Sequence, residues 1–158
     1  APSVVGGVVV THTIEQWRAN FRVSVESVFI GVQAAMKVMQ AQGFGSIINV
    51  SSVSSLRAGI AAGAYSAAKA AVNQFTMCAA MEAAPYNVRV NAIAPGPFLT
   101  NIAGGRLHRE PEVAKKFAAA VPLGRLAPAR RVGMGESGTW HRRAQLPLGR
   151  GVGGRALQ

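Results

Sequence analysis

Apolar positions along this chain switch between a helical and an alternating spacing, and the switches divide it into elements. From Thr13 they recur as Trp17, Phe21, Val25, Val28, Phe29, Val32, Met36 and Met39, which predicts one long helix bent near Ser24. Its start is marked by Thr13-Ile14-Glu15-Gln16, a capping box in which Thr and the residue three later satisfy each other's free backbone donors. Gly43 and Gly45 end it. Ile47-Ile48-Asn49-Val50 is a β-branched run between Gly45 and a serine cluster, so a buried strand is predicted over Ile47 to Ser51. Residues 53–63 read as a loop, followed by an alanine-rich helix from about Tyr65 to Ala84 that Pro85 stops. A second strand, Val88 to Ala94, is cut off by Pro95-Gly96-Pro97. Pro111 suits the first position of a helix over Glu112 to Ala120, where its missing N–H does no harm. The residues before Thr13 are rich in Gly and Val and read as a loop.

Helix, strand, helix, strand is the order of a parallel sheet with helices on its faces, so the predicted class is α/β. At 158 residues and 49% hydrophobic the chain can bury one sizeable core, and disorder is excluded for most of it. No apolar run approaches the roughly 18 residues of a spanning helix, so no membrane partner is expected. Cys78 is the one cysteine. It cannot close an internal disulfide, which suits a reducing compartment and a cytoplasmic location. Lying mid-helix beside Met77 and Ala79, it reads as packing, and Met36, Met39, Met77 and Met81 read as core or interface. His12, His108 and His141 lack metal-ligand spacing, so no metal site is expected.

Charge changes the picture for one end only. The net charge is +11, and every acid is Glu. Such an excess invites a nucleic-acid partner, yet seven of the seventeen basic residues fall within residues 125–158. Beyond Ala127 the apolar periodicity vanishes. The expected division is therefore 1–127 as folded unit and 128–158 as an Arg/Gly-rich, poorly ordered tail. A frame change or other aberrant end is favoured over an Arg/Gly nucleic-acid segment. Two Gly-x-Gly-x-x-Gly matches, at Gly133 and Gly149, have no strand before them and read as accidents of composition.

The informative chemistry lies between Asn49 and Thr100. Tyr65 and Lys69 are four residues apart, hence on one helix face and about 6 Å apart along the axis. An ammonium at that distance interacts with a phenolate by about 2–3 kcal/mol at an effective dielectric near 20, which suits a phenol to proton transfer. Alone, the pair reads as a solvated face. Ser52, thirteen residues before Tyr65, reverses that reading because it ends a strand, and ligands of parallel sheets sit outside the strands' carboxyl ends. A hydroxyl there can donate to a carbonyl oxygen while Tyr65 delivers the proton. The other strand ends in Pro95-Gly96-Pro97-Phe98-Leu99-Thr100 at the same edge.

Together, Asn49-Val50-Ser51-Ser52, Tyr65-Ser66-Ala67-Ala68-Lys69 and Asn91-Ala92-Ile93-Ala94-Pro95-Gly96 with Thr100 resemble the short-chain dehydrogenase/reductase family, from about Thr13 to Ala127. The resemblance implies part of a doubly wound, Rossmann-like parallel sheet. It also implies hydride transfer between NAD or NADP and the carbonyl or alcohol carbon of a small molecule. By the match, Tyr65 is the acid/base, Lys69 holds the nicotinamide ribose and assists Tyr65, and Ser52 positions the substrate oxygen. The cofactor side is implied to comprise Asn49, which braces the strand, with Tyr65, Lys69, Pro95, Gly96, Phe98 and Thr100. The long helices commonly form the family's subunit interface, so a homo-oligomer is implied.

Two departures accompany the match. Ser24 stands where the family usually carries an Asn that supports a proton-relay water; a serine can still hydrogen-bond there. The family's glycine-rich phosphate loop, its ribose selector and its Asn-Asn-Ala-Gly strand belong before residue 1. The expectation is an incomplete oxidoreductase that does not turn over substrate by itself. The alternative is a non-catalytic protein that keeps the fold for helix-mediated association.

Overall fold

A computed structural model of the chain describes residues 7–100 and 102–128. The sequence expectations for the Arg/Gly-rich tail and for His141 lie outside the described residues.

The long N-terminal helix forms with the expected start. In α1 (Ile14–Phe21), the Thr13 hydroxyl accepts from the Gln16 N–H at 3.2 Å and the Gln16 side-chain Oε1 accepts from the Thr13 N–H at 2.9 Å. The bend near Ser24 is a π-helical turn, Arg22–Glu26, after which α2 runs over Ser27–Gln42. Val23 and Val25 are stiff, poor helix formers. On either side, Asn20 Nδ2 donates to the Gln16 carbonyl and Ser27 Oγ to the Val23 carbonyl, and such side-chain donors compete with the backbone ladder. Gly43 ends α2 at φ 76°, and its N–H donates to the Met39 carbonyl; a left-handed cap of this kind favours glycine.

Strands β1 (Gly45–Val50) and β2 (Val88–Ile93) pair in parallel, with Ile47 opposite Val90 and Asn49 opposite Ala92. The crossover between them carries α3 (Gly63–Ala83). A parallel pair needs such a crossover, because a tight turn cannot return the chain to the same end of the sheet. Val32 and Met36 of α2, Ala79 and Ala83 of α3, and Val88 and Val90 of β2 form the buried core on one face. The stripe of α3 that is buried consists of Ala64, Ala68, Val72, Thr76, Ala79 and Ala83, small residues that let the helix lie close to its neighbours. The opposite sheet face is open: Ile48, Val50, Asn91 and Ile93 are exposed.

Several expectations are corrected. Cys78 is exposed rather than packed, because the buried stripe of α3 passes through Thr76 and Ala79 and misses it. Met77 and Met81 are exposed for the same reason, which removes the core reading for them and leaves the interface one. Helix α3 begins at Gly63, two residues before the expected start. The segment read as a loop opens with a 3₁₀ turn at Val53–Ser55.

Beyond the second strand, β3 (Phe98–Leu99) pairs in parallel with β4 (Ala127–Pro128), so Phe98 and Leu99 are not simply a turn. Helix α4 (Ile102–Arg109) was not legible, whereas α5 (Pro111–Ala119) has its proline in the first turn as expected. No helix among the described residues is long and apolar enough to cross a membrane.

Candidate active site

The carboxyl ends of β1 and β2 are held together beyond the strands themselves. The Ser51 N–H donates to the Ile93 carbonyl at 2.8 Å and the Val53 N–H to the Pro95 carbonyl at 3.1 Å. These two bonds carry the Pro95-Gly96-Pro97 turn to the side of Ser52. A Cβ built on Gly96 would meet nothing within 4 Å, so the turn borders open space.

Helix α3 supplies the rest. The Lys69 Nζ donates to the Val50 carbonyl, the last of β1, at 2.9 Å. The same ammonium lies 5.8 Å from the centre of the Tyr65 ring, so the two side chains share a helix face as their spacing requires. In return, the Ser51 hydroxyl donates to the Lys69 carbonyl at 3.0 Å. Partial burial disfavours the charged form of Lys69 and lowers its pKa from the usual lysine range.

Ser52 is buried in extended backbone and caps the Val53–Ser55 turn, its Oγ accepting from the Ser54 N–H at 3.1 Å. Among the described residues its own O–H is donated to nothing, which leaves it available for a ligand oxygen. Ser55 and Asn73 pin this turn to α3: the Ser55 hydroxyl donates to the Ser52 carbonyl at 2.6 Å and accepts from Asn73 Nδ2 at 2.7 Å. Neither residue carried a signal of its own in the sequence, because their value lies in a contact across eighteen positions.

Asn49 faces α3. Its Nδ2 donates to the Thr76 hydroxyl at 2.9 Å, and that hydroxyl donates to the Val72 carbonyl at 2.7 Å. All of this is buried. Asn49 is thereby a brace between strand and helix, one residue before the carbonyl that holds Lys69. Ser24 is buried in the π-turn, which packs on α3. Phe98 is exposed in β3 and Thr100 half-buried just after it. Asn91 sits on the open sheet face, two residues before the strand ends.

The arrangement places a phenol, an ammonium and a buried hydroxyl at the carboxyl edge of a parallel sheet beside an open turn. Chemically, it can hold an oxygen atom and exchange a proton with it.

Comparison with known proteins shows which family the chain is similar to. Residues 1–134 match the family model described as enoyl-(acyl carrier protein) reductase. Cyclopentanol dehydrogenase from Comamonas testosteroni is 38% identical over 113 residues, 72% of this chain and 45% of that protein. Among solved structures, gluconate 5-dehydrogenase from Burkholderia cenocepacia, in complex with NADP and tartrate, has a TM-score of 0.72 at 31% identity, covering 78% of this chain and 48% of that one. A short-chain type dehydrogenase/reductase from Mycobacterium marinum gives 0.71 at 28% identity, covering 81% and 50%. The chain spans about half the length of the relatives it matches.

Proposed function

Because this chain belongs to the short-chain dehydrogenase/reductase family and folds as part of a doubly wound parallel sheet, we propose that it carries the catalytic part of a nicotinamide-dependent alcohol dehydrogenase or ketone reductase. Tyr65 is the proton donor and acceptor, and Ser52 holds the substrate oxygen. The observation that carries this reading is the Lys69 ammonium, fixed on the Val50 carbonyl and beside the Tyr65 ring. A lysine on a solvated helix face has no reason to bridge to a strand end.

The residues present fit the nicotinamide end of a dinucleotide. Open space borders Gly96, and Lys69, with donors beyond the one used on Val50, can reach a ribose hydroxyl. By the family match, Pro95, Gly96, Phe98 and Thr100 are the residues that would contact the nicotinamide end. When bound, the cofactor supplies or accepts the hydride. This chain's own residues orient the oxygen through Ser52, move the proton at the Tyr65 Oη, and hold positive charge beside it through Lys69. The identity of the cofactor, NAD or NADP, is left open by these residues. The relative that acts on cyclopentanol points to a secondary alcohol or its ketone as substrate.

Among the described residues no Gly-x-Gly-x-x-Gly turn joins a strand to a helix, and pyrophosphate affinity in this architecture comes largely from such a turn. The 158 residues alone therefore bind NADH and NADPH only in the millimolar range and do not turn over substrate. Calorimetric titration checks this, and micromolar binding would overturn it. In a protein of the relatives' length carrying these residues, Tyr65→Phe lowers turnover by about 100- to 10,000-fold, the range for a general acid–base group. Near-normal turnover of that variant would sink the assignment. The exposed Phe29, Ile30 and Val38 of α2 and Met77 and Met81 of α3 support self-association through these helices, which sedimentation measures.

A further inference from the structure

Helix α3 grips the end of β1 at two successive turns, on either side of Ser52. The Lys69 ammonium donates to the Val50 carbonyl at 2.9 Å. One turn further along α3, Asn73 Nδ2 donates to the Ser55 hydroxyl at 2.7 Å, and that hydroxyl donates to the Ser52 carbonyl at 2.6 Å. Ser51 Oγ lies 3.3 Å from the same hydroxyl and donates at 3.0 Å to the Lys69 carbonyl. Ser55 and Asn73 are half-buried, and Ser51 and Ser52 are buried. The first grip belongs to the chemistry proposed above; the second has no part in it so far.

Hydrogen-bond chemistry fixes the direction of the second grip. A carbonyl oxygen can only accept, so the single proton of the Ser55 hydroxyl goes to Ser52. Its partner on α3 must then present a donor, which asparagine does through Nδ2. The Ser55 N–H also donates to the Ser52 carbonyl, at 3.0 Å, and this closes the Val53–Ser55 turn without any side chain. What the hydroxyl adds is a tether: through it the Ser52 carbonyl is joined to Asn73, on the same helix as Tyr65. Ser52 Oγ accepts from the Ser54 N–H inside that turn, so a shift of the turn shifts the oxygen that would face the substrate.

We infer that Asn73 is a positioning residue for Ser52, acting through Ser55. By donating, it leaves the Ser55 proton to the Ser52 carbonyl and fastens the Ser52 turn to the helix that carries Tyr65. This rests on the reading that Ser52 holds the substrate oxygen while Tyr65 moves the proton. Both groups must then meet one atom, and a misplacement of about 1 Å can cost about 100-fold in rate. The Val53 N–H ties the same turn to the Pro95 carbonyl, in the segment after β2. The Asn73–Ser55 bond ties it to α3 itself, and so sets Ser52 against Tyr65.

Asn73→Asp tests the direction, because it keeps size and shape and changes what the group can donate. An ionised carboxylate only accepts, so it draws the Ser55 proton away from the Ser52 carbonyl; once protonated it can donate again. The measurement is amide hydrogen exchange at Ser54 in the full 158-residue chain, as a ratio to the unchanged protein at each pH, with the Ser52 carbonyl carbon shift followed by NMR. At about pH 7, Ser54 should exchange about 2- to 12-fold faster in Asn73→Asp, the equivalent of one net hydrogen bond. The ratio should fall back towards one, and the carbonyl shift return, as the introduced carboxyl is protonated around its ordinary value of about 3.9. Ser55→Ala combined with Asn73→Asp carries the same charge without the relay, so there the pH step should vanish. A ratio near one at neutral pH, no recovery in acid, or a pH step that survives without the Ser55 hydroxyl would each overturn the proposal. If Asn73→Asp fails to fold, Ser55→Ala against Ser55→Thr decides: alanine should speed Ser54 exchange by the same factor, and threonine, which keeps the hydroxyl, should not. None of these readouts uses turnover, so a failure here is distinct from a failure of the proton-transfer reading, which Tyr65→Phe tests.

Discussion

Replacing Thr76 by valine removes one oxygen from the seam between β1 and α3 while nearly preserving shape. That oxygen has two partners: it accepts from Asn49 Nδ2 at 2.9 Å and donates to the Val72 carbonyl at 2.7 Å. Asn49 is 6% exposed and Thr76 4%, so water cannot take the hydroxyl's place. The Val72 carbonyl still has the helix ladder to satisfy it, so its loss is small. The Asn49 N–H is left unpaired in the interior, at a cost of about 1–3 kcal/mol, or roughly a 5- to 150-fold shift in the unfolding equilibrium. With a urea m-value of about 1–3 kcal/mol/M for a small domain, a loss near 2 kcal/mol moves the midpoint by about 1 M. Urea unfolding followed by far-ultraviolet circular dichroism reads this directly. Pairing Thr76→Val with Asn49→Leu removes both polar groups at once, so the double variant should lose about 1–2 kcal/mol less than the two single losses combined. A Thr76→Val midpoint within about 0.3 M of the original, or strict additivity in the cycle, would refute the bracing role of Asn49. The consequence extends to the site, because Val50, which holds the Lys69 ammonium, is the next residue along the strand.

Further predictions concern side chains around the same edge. Lys69, destabilised in its charged form by burial, should release its proton below the pKa of about 10.4 of a free lysine, as ¹⁵N-detected NMR of its ammonium would show. In the window between the two values the unfolded chain binds more protons, so the contribution of Lys69 to stability rises as pH is raised through it; Lys69→Met should abolish that slope, and a slope that survives would place its origin elsewhere. Ser24 is 7% exposed in the π-turn against α3, so Ser24→Asn should cost about 1–3 kcal/mol by overpacking. A melting temperature unchanged or raised in that variant would show that the widened turn has room for the longer side chain.

Features governed by neighbours within four positions were legible along the chain. The capping box at Thr13 and Gln16, the left-handed Gly43, the proline opening α5, and the common face of Tyr65 and Lys69 all follow from backbone geometry that a few adjacent residues dictate. The motif spacing likewise placed Ser52, Tyr65 and Pro95 at one sheet edge, because a parallel sheet brings successive strand ends to the same side.

Tertiary structure decided what those side chains do there. Nothing local tells Lys69 to reach the Val50 carbonyl, Ser51 to reach Lys69, or Val53 to pair with Pro95; each bond joins parts of the chain that meet only when α3 crosses from β1 to β2. The side of α3 that is buried was equally hidden, since an alanine-rich helix is apolar nearly all round and carries no strong stripe. That is why Cys78, Met77 and Met81 proved exposed and Thr76 buried. The same holds for Asn49, whose polar amide in a buried strand makes sense only beside the Thr76 hydroxyl, and for His12, whose unpaired ring depends on the backbone of Gly7 passing against it. Short-range sterics and capping act on the sequence directly, whereas burial and hydrogen-bond choice depend on which surfaces the packed chain sets face to face.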